Sequence, residues 1–240
     1  MRAILTFHSI DDSGSVLSYP PRMFAHFLAA LHHAGLPVCD LDTLLAPETQ
    51  RGVALTFDDG MRSVFTHALP ILRDHAAPAH LFLTTGAVGG HNHWSTQPAQ
   101  SPHFDMLDWN EIGKLQQAGV RIESHTHSHP DLRDLNDQGI ATECSEADRL
   151  IEARLGRRPQ YFAYPYGYRS AHVCHYARDH YRGSVTTELR EIQGNEDPAA
   201  LPRLDSYYLR APWLFRRLDA ALPRSYLALR GAVRRLRGRD

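Results

Sequence analysis

The chain has 240 residues, enough for one large domain with its own core, and its 26 Lys and Arg against 27 Asp and Glu leave a formal net charge of -1. Such a balance supplies no global field toward nucleic acid, so no nucleic-acid partner is expected. The cysteines Cys39, Cys144 and Cys174 lie far apart, show no Cys-x-x-Cys spacing, and read as ordinary reduced thiols.

Taken in order, residues 3–7 form an apolar strand candidate, and residues 21–34 form a helix that stops at Gly35. A second strand is expected over 53–57, a helix over 61–75 and a third strand over 79–84. The stretch 86–102 is rich in Gly, His, Ser, Gln and Pro and reads as a long loop, either a solvated insertion or a rim of the substrate cleft. Trp94 is its candidate substrate contact. Next come a helix over 109–118, with Asp108 and Glu111 in a capping-box pattern, and a strand over 120–123. Helices over 142–155 and 170–179 and a strand over 184–187 follow, with Gly119 and Gly156 placed as helix stops. Strand and helix in alternation predict a mostly parallel sheet covered by helices, of which a barrel is the closed form. Functional groups then belong on loops leaving the C-terminal ends of the strands.

Residues 1–211 make up the expected catalytic domain, and 212–240 a basic amphipathic helical tail. In the tail Trp213, Leu214, Phe215, Leu222, Tyr226, Leu227, Leu229 and Val233 are mixed with eight arginines, and Asp219 and Asp240 are the only acids. Two readings are open for it: a helix packed on the barrel with its arginines in water, or peripheral contact with an anionic membrane surface. No apolar run reaches membrane-spanning length, and the short run after Met1 does not make a signal peptide. A cytoplasmic protein, with contact at the inner membrane face as the sharper variant, is the expectation. Nothing in the sequence points to a particular oligomeric state.

Chemistry concentrates in three segments. Val53-Ala54-Leu55-Thr56-Phe57-Asp58-Asp59-Gly60 ends an apolar strand in two carboxylates. Asp-Gly alone is a common turn pair, but adjacent acids repel each other, and a cation bound by one removes that penalty. Glu123-Ser124-His125-Thr126-His127-Ser128-His129-Pro130 places His125 and His129 four residues apart, so that a helical turn would aim both to one side and His127 elsewhere. Two imidazoles and the Asp59 carboxylate make a three-ligand site with open positions. Such a set suits one divalent metal, zinc first, with cobalt, nickel, manganese or iron accepted. The third segment, Phe162-Ala163-Tyr164-Pro165-Tyr166-Gly167, reads either as core packing and a turn or as a rigid apolar wall with an exposed amide after the proline.

In order and rough spacing these three segments resemble the motifs of the polysaccharide deacetylases, carbohydrate esterase family four, over roughly residues 1–208. The resemblance implies an irregular (β/α)7 barrel that removes acetyl groups from N-acetylated sugars, with Asp58 as catalytic base and Asp59, His125 and His129 as metal ligands. Tyr164, Pro165 and Tyr166 are then candidate substrate contacts, and the Tyr166 amide a donor to the oxyanion. The sequence departs from the family twice. Ala163 stands where an arginine usually steadies the catalytic carboxylate, and Arg203, in Leu201-Pro202-Arg203-Leu204-Asp205, is the candidate replacement. The family's last motif, an apolar strand ending in a histidine, is absent from the C-terminal region. Ile4-Leu5-Thr6-Phe7-His8 has that character instead, and it is similar to the start of the circularly permuted poly-N-acetylglucosamine deacetylases. His8 inherits the catalytic-acid role. The substrate expected is an N-acetylated sugar or glycan, free, polymeric or lipid-linked. The alternatives are a glycan-binding protein of the same fold with impaired turnover, suggested by Ala163, and a metal-dependent hydrolase of another bond. A two-metal phosphoesterase would need further His and Asp clusters, and none stands out.

Overall fold

The computed structural model describes residues 1–97 and 100–237. Seven parallel strands, β1 (Arg2–Phe7), β2 (Gly52–Phe57), β3 (Ala79–Leu83), β4 (Arg121–Ser124), β5 (Tyr161–Ala163), β6 (Gly183–Leu189) and β7 (Leu201–Asp205), close into a barrel in chain order. Closure is made by β1 against β7, with Leu5 opposite Leu204 and Thr6 opposite Asp205. Around it lie α1 (Pro21–His33), α2 (Leu41–Leu45), α3 (Leu69–Asp74), α4 (Trp109–Gln117), α5 (Asp137–Leu155), α6 (Ala171–His180), α7 (Pro212–Phe215) and α8 (Ala221–Leu236). This is the closed form of the parallel sheet that the alternation predicts and the seven-stranded barrel that the resemblance implies, and because all strands run parallel, the residues following each strand share one rim.

Local chemistry accounts for most boundaries. The Asp108 capping box forms as expected, its carboxylate accepting from the Glu111 amide while the Glu111 carboxylate accepts from that of Asp108. Gly35, Gly119 and Gly156 all take positive φ beyond their helices. The helix expected over 61–75 is instead a π-helical turn, Val64–Ala68, running into α3. Pro70 explains it: its ring lacks an amide donor and crowds the carbonyl four residues earlier, so the turn widens. Helix α5 starts at Asp137, earlier than residue 142, because the Asn136 side chain caps it by accepting from the Gly139 amide.

Strands β5 and β7 lie outside the sequence expectation. The first has three residues inside an aromatic segment; the second contains Pro202, which disfavours a strand reading. Between Val185 and Leu189 the β6–β7 register slips, and this bulge brings the Thr186 carbonyl against the Arg203 side chain.

The core is largely aromatic on one side. Phe7 at the end of β1 meets Tyr19, Phe24, Phe27 and Phe57 at ring separations of 5.1–6.1 Å, and Phe27 in turn packs on Phe215 of α7. Residues 212–237 carry α7 and α8 and lie on the barrel: Leu214, Phe215, Leu218 and Leu227 are buried, and Gly231 sits against the Leu189 carbonyl, where a Cβ would come within 2.1 Å. Among the described residues no helix is long and apolar enough to cross a membrane, and Cys39, Cys144 and Cys174 are unpaired.

A polar network ties the interior together. One Glu123 carboxylate oxygen accepts from the Gln160 and Tyr161 amides at 2.7 and 3.0 Å; the other lies 3.2 Å from His80 Nδ1. His80 Nε2 accepts from the Leu41 amide at 3.0 Å, so the proton of a neutral ring sits on Nδ1. Four segments are thereby joined by satisfied buried groups.

Phe7→Ala should lower unfolding free energy by about 3–5 kcal/mol, the range for emptying a packed aromatic site. Chemical denaturation measures it; a loss below about 1 kcal/mol would show that the cluster is not the keystone its ring contacts suggest.

Candidate active site

Asp58 and Asp59 follow β2 and are almost fully buried, 3% and 4% exposed. The two carboxylates go opposite ways because Asp59 takes the left-handed φ of 72° and Gly60, at φ 99°, completes the turn. A Cβ on Gly60 would come within 2.6 Å of the Leu83 side chain, so the turn also needs the missing side chain.

Asp58 faces Arg203. The guanidinium donates two parallel hydrogen bonds to the carboxylate, at 2.8 and 2.7 Å, and is itself held by the Thr186 carbonyl at 2.8 Å and the Thr56 hydroxyl at 3.3 Å. Arg203, the candidate for the role that Ala163 cannot fill, therefore contacts Asp58 directly. Burial by itself would raise the Asp58 carboxyl, but the charge and hydrogen bonds of Arg203, with His125 and His8, outweigh it and hold the group below the usual carboxylate value.

Asp59 faces the histidines. Its Oδ1 lies 3.3 Å from His125 Nε2 and 3.5 Å from His129 Nε2, and the three ligand atoms all fall within 4.8 Å of one another. Ordinary N–H···O bonds are shorter, about 2.9 Å, whereas donors around one cation at about 2.1 Å stand roughly 3.4 Å apart. The donor set therefore fits a shared divalent cation. His125 supports this, since its Nδ1 bonds the Ala163 carbonyl at 2.7 Å and so carries the proton, leaving the Nε2 lone pair toward Asp59. Burial opposes charge on both Asp59 and His125, yet mutual attraction holds Asp59 well below and His125 above their ordinary values; on His129 burial prevails and the value falls.

The expected helical turn over 125–129 is absent. The segment is an irregular loop in which Thr126 and His129 take φ of 66° and 58°. Glu143 of α5 organises it, accepting from the His127 and Ser128 amides at 3.1 and 2.8 Å, while the Thr126 hydroxyl accepts from the His129 amide at 3.1 Å. His127 turns aside, as expected, to the Thr85 hydroxyl at 3.0 Å.

These groups line a cavity of about 220 Å3 with His8, Trp94, Tyr166, Thr187 and Arg203 around it. His8 directly follows β1, beside Asp58, whose amide donates to the Phe7 carbonyl. Trp94 stacks on the His129 ring at 4.4 Å, Tyr166 meets it edge-on at 4.6 Å, and the Tyr166 and Thr96 hydroxyls are 2.9 Å apart. The loop over 86–102 is therefore a wall of the cavity as far as it is described; residues 98 and 99 lie outside the described residues. Tyr164 forms wall and not a polar contact, because its ring is fully buried and its hydroxyl donates to the Ala199 carbonyl. Pro165 is buried and shapes the turn from behind, being absent from the cavity lining. Tyr166 and Gly167 have φ of 59° and 74°, and a Cβ on Gly167 would strike the Thr187 side chain. Glu143, Thr96 and Thr56 carry no local signal in the sequence, being isolated polar residues in a helix, a loop and a strand.

Two buried carboxylates, one clamped by arginine and one grouped with two imidazoles at a barrel rim, define a single-metal hydrolase type of site. Residues 46–182 match the family model described as polysaccharide deacetylase, and the chain belongs to that family. Among relatives, YxkH of Bacillus subtilis (strain 168), whose name places it in the same family, is 26% identical over 208 residues, covering 84% of this chain and 70% of that one. The poly-beta-1,6-N-acetyl-D-glucosamine N-deacetylase of Staphylococcus aureus (strain MRSA252) is 26% identical over 127 residues, 49% of this chain; the match spans only 41% of that enzyme's length. Among solved structures, IcaB from Ammonifex degensii superposes with a TM-score of 0.75 at 24% identity, covering 92% of this chain and 96% of that one. The deacetylase PplD of Streptococcus pyogenes, in complex with acetate, gives 0.73 at 23%, covering 85% and 91%. These likenesses establish the same fold.

Elemental analysis should find about one divalent metal per chain, lost in Asp59→Ala and His129→Ala but retained in Asp58→Asn. Equal metal loss in all three variants would overturn the division between the two carboxylates.

Proposed function

We propose that this protein hydrolyses the acetamide of an N-acetylated sugar or glycan, yielding acetate and the free amine. The observation that carries the reading is the pair of oppositely directed carboxylates, Asp58 on Arg203 and Asp59 with His125 and His129, in one cavity. A divalent cation held by Asp59, His125 and His129 would polarise the amide carbonyl and acidify a water; zinc is the first choice for a mixed nitrogen and oxygen donor set, with cobalt, nickel, manganese and iron also accommodated.

The rest of the chemistry falls to the chain. Asp58, kept ionised and oriented by Arg203, takes the proton of the attacking water. The Tyr166 amide faces the negative charge growing on the acetyl oxygen, a donor of a kind that contributes about 3 kcal/mol. His8 gives a proton to the departing amine. Trp94 and Tyr166 both pack against the His129 ring and offer the sugar an aromatic wall.

Against the glycan-binding alternative, Asp58 does not lack an arginine partner, since Arg203 from β7 binds both its oxygens. Against the phosphoesterase reading, Asp59, His125 and His129 form the single cluster of three or more metal-type donors among the described residues.

Incubation with N-acetylated oligosaccharides followed by mass spectrometry should show losses of one acetyl each, abolished by a chelator and restored by metal; turnover of phosphate esters alone would refute the proposal. His8→Ala should slow amide hydrolysis far more than hydrolysis of an activated aryl acetate, whose leaving group needs no proton. Equal losses would remove His8 from the acid role.

Arg203 favours the charged form of Asp58, so in Arg203→Met burial acts alone and the Asp58 value rises. The acid limb of the kcat/KM profile should accordingly move to higher pH, with Arg203→Lys intermediate. An unmoved limb in a folded, metal-loaded variant would separate Arg203 from catalysis.

A further inference from the structure

We propose that α8 is a membrane-surface helix whose outward face docks on the anionic surface of a lipid bilayer. The helix has two apolar faces, and the barrel uses only one. Pro223, Leu227 and Gly231, spaced by four, are buried against β6. Leu222, Leu229 and Leu236, spaced by seven, are 70%, 63% and 88% exposed. At 100° per residue the second set is centred about 160° from the first, pointing away from the protein. Ala221, Ser225 and Ala232 fall on the same side as these leucines, so the outward face carries no charge along four turns.

Arginines border that face on both edges, Arg224 and Arg235 on one and Arg230 and Arg237 on the other. Residues 212–237 hold seven arginines against one acid, Asp219, which pairs with Arg51. Two barrel carboxylates reach the helix: Glu191 binds Arg224 at 2.7 Å, and Glu188 lies 4.0 Å from Arg235. Both arginines stay half exposed, at 49%, and Arg216, Arg217, Arg230 and Arg237 are exposed as well. Trp213, 48% exposed and packed edge-on against Tyr226 at 5.4 Å, adds an aromatic of the kind that settles at headgroup level.

This arrangement selects the partner. A nucleic acid would use the arginines but leave the leucine stripe in water, and a neutral apolar groove would use the stripe but not the charge. An anionic bilayer takes both, leucines entering the acyl boundary and arginines reaching sideways to phosphates. The inference is independent of the reaction assigned to the barrel cavity.

The test is flotation of the full chain with phosphatidylcholine vesicles, with and without phosphatidylserine. Binding should require phosphatidylserine, weaken as salt is raised, and fall about tenfold or more in the triple variant Leu222→Ser/Leu229→Ser/Leu236→Ser, whose Tm and metal content should match the parent because all three side chains are exposed. Three results would overturn the proposal: no flotation with phosphatidylserine vesicles at low salt, equal flotation of the triple variant, or a dimer by light scattering that the triple variant splits. The last would assign the face to a second copy of the chain.

Discussion

Two adjacent carboxylates buried at the end of one strand are the constraint around which the site is built. Side by side and out of water, Asp58 and Asp59 would repel each other and neither would stay ionised without opposing charge. The fold separates them by a left-handed residue and answers each on its own side. Arg203 comes from β7, at the far end of the chain in sequence, and binds Asp58 through both oxygens. His125 and His129 come from the loop after β4 and group with Asp59. The first answer crosses the seam where β7 meets β1, whereas the second needs only β2, β3 and β4 side by side.

The rim around these groups is strained backbone held by named contacts. Asp59, Thr126, His129 and Tyr166 all take positive φ without being glycine, a conformation that costs of order 1–3 kcal/mol each when nothing compensates. Compensation is visible at each loop. Glu143 binds two successive amides of the histidine loop, Thr126 turns back on His129, and Thr96 reaches both the His129 carbonyl and the Tyr166 hydroxyl. Helix α5 thus fixes metal-type donors that it does not itself contribute.

Outside the cavity, α7 and α8 show how one segment serves two environments. Phe215, Leu218 and Leu227 join the aromatic and aliphatic core around β1 and α1, and Gly231 lets the helix approach the Leu189 carbonyl. The leucines that remain outside are not needed for that packing, so a stable barrel leaves the outward face free of any structural duty.

Much was legible in the sequence because it is written locally. Apolar runs, glycines past helix ends, the Asp108 capping box and the clustered Asp and His residues are all short-range patterns, and they were enough for a parallel α/β class, five of the strands and the metal-type donors, while the barrel came from the resemblance of the motifs. The arginine absent at Ala163 could be sought elsewhere in the chain, and Arg203, the candidate, binds Asp58. Other features depend on partners distant in sequence. Pro202 argued against a strand that barrel closure nevertheless requires, three residues were too few to reveal β5, and Pro70 broke a helix that periodicity alone would continue. The four-residue spacing of His125 and His129 suggested a helical turn, whereas Glu143, known to be near only after folding, bends the loop another way. Tyr164 lines the cavity but spends its hydroxyl on the Ala199 carbonyl, and Pro165 lies behind the turn, neither of which the motif alone reveals. Residue type and short spacing determined which groups carry the chemistry; only the tertiary structure decided which way each one points, because direction is set by hydrogen bonds and packing from strands and helices far away in the chain.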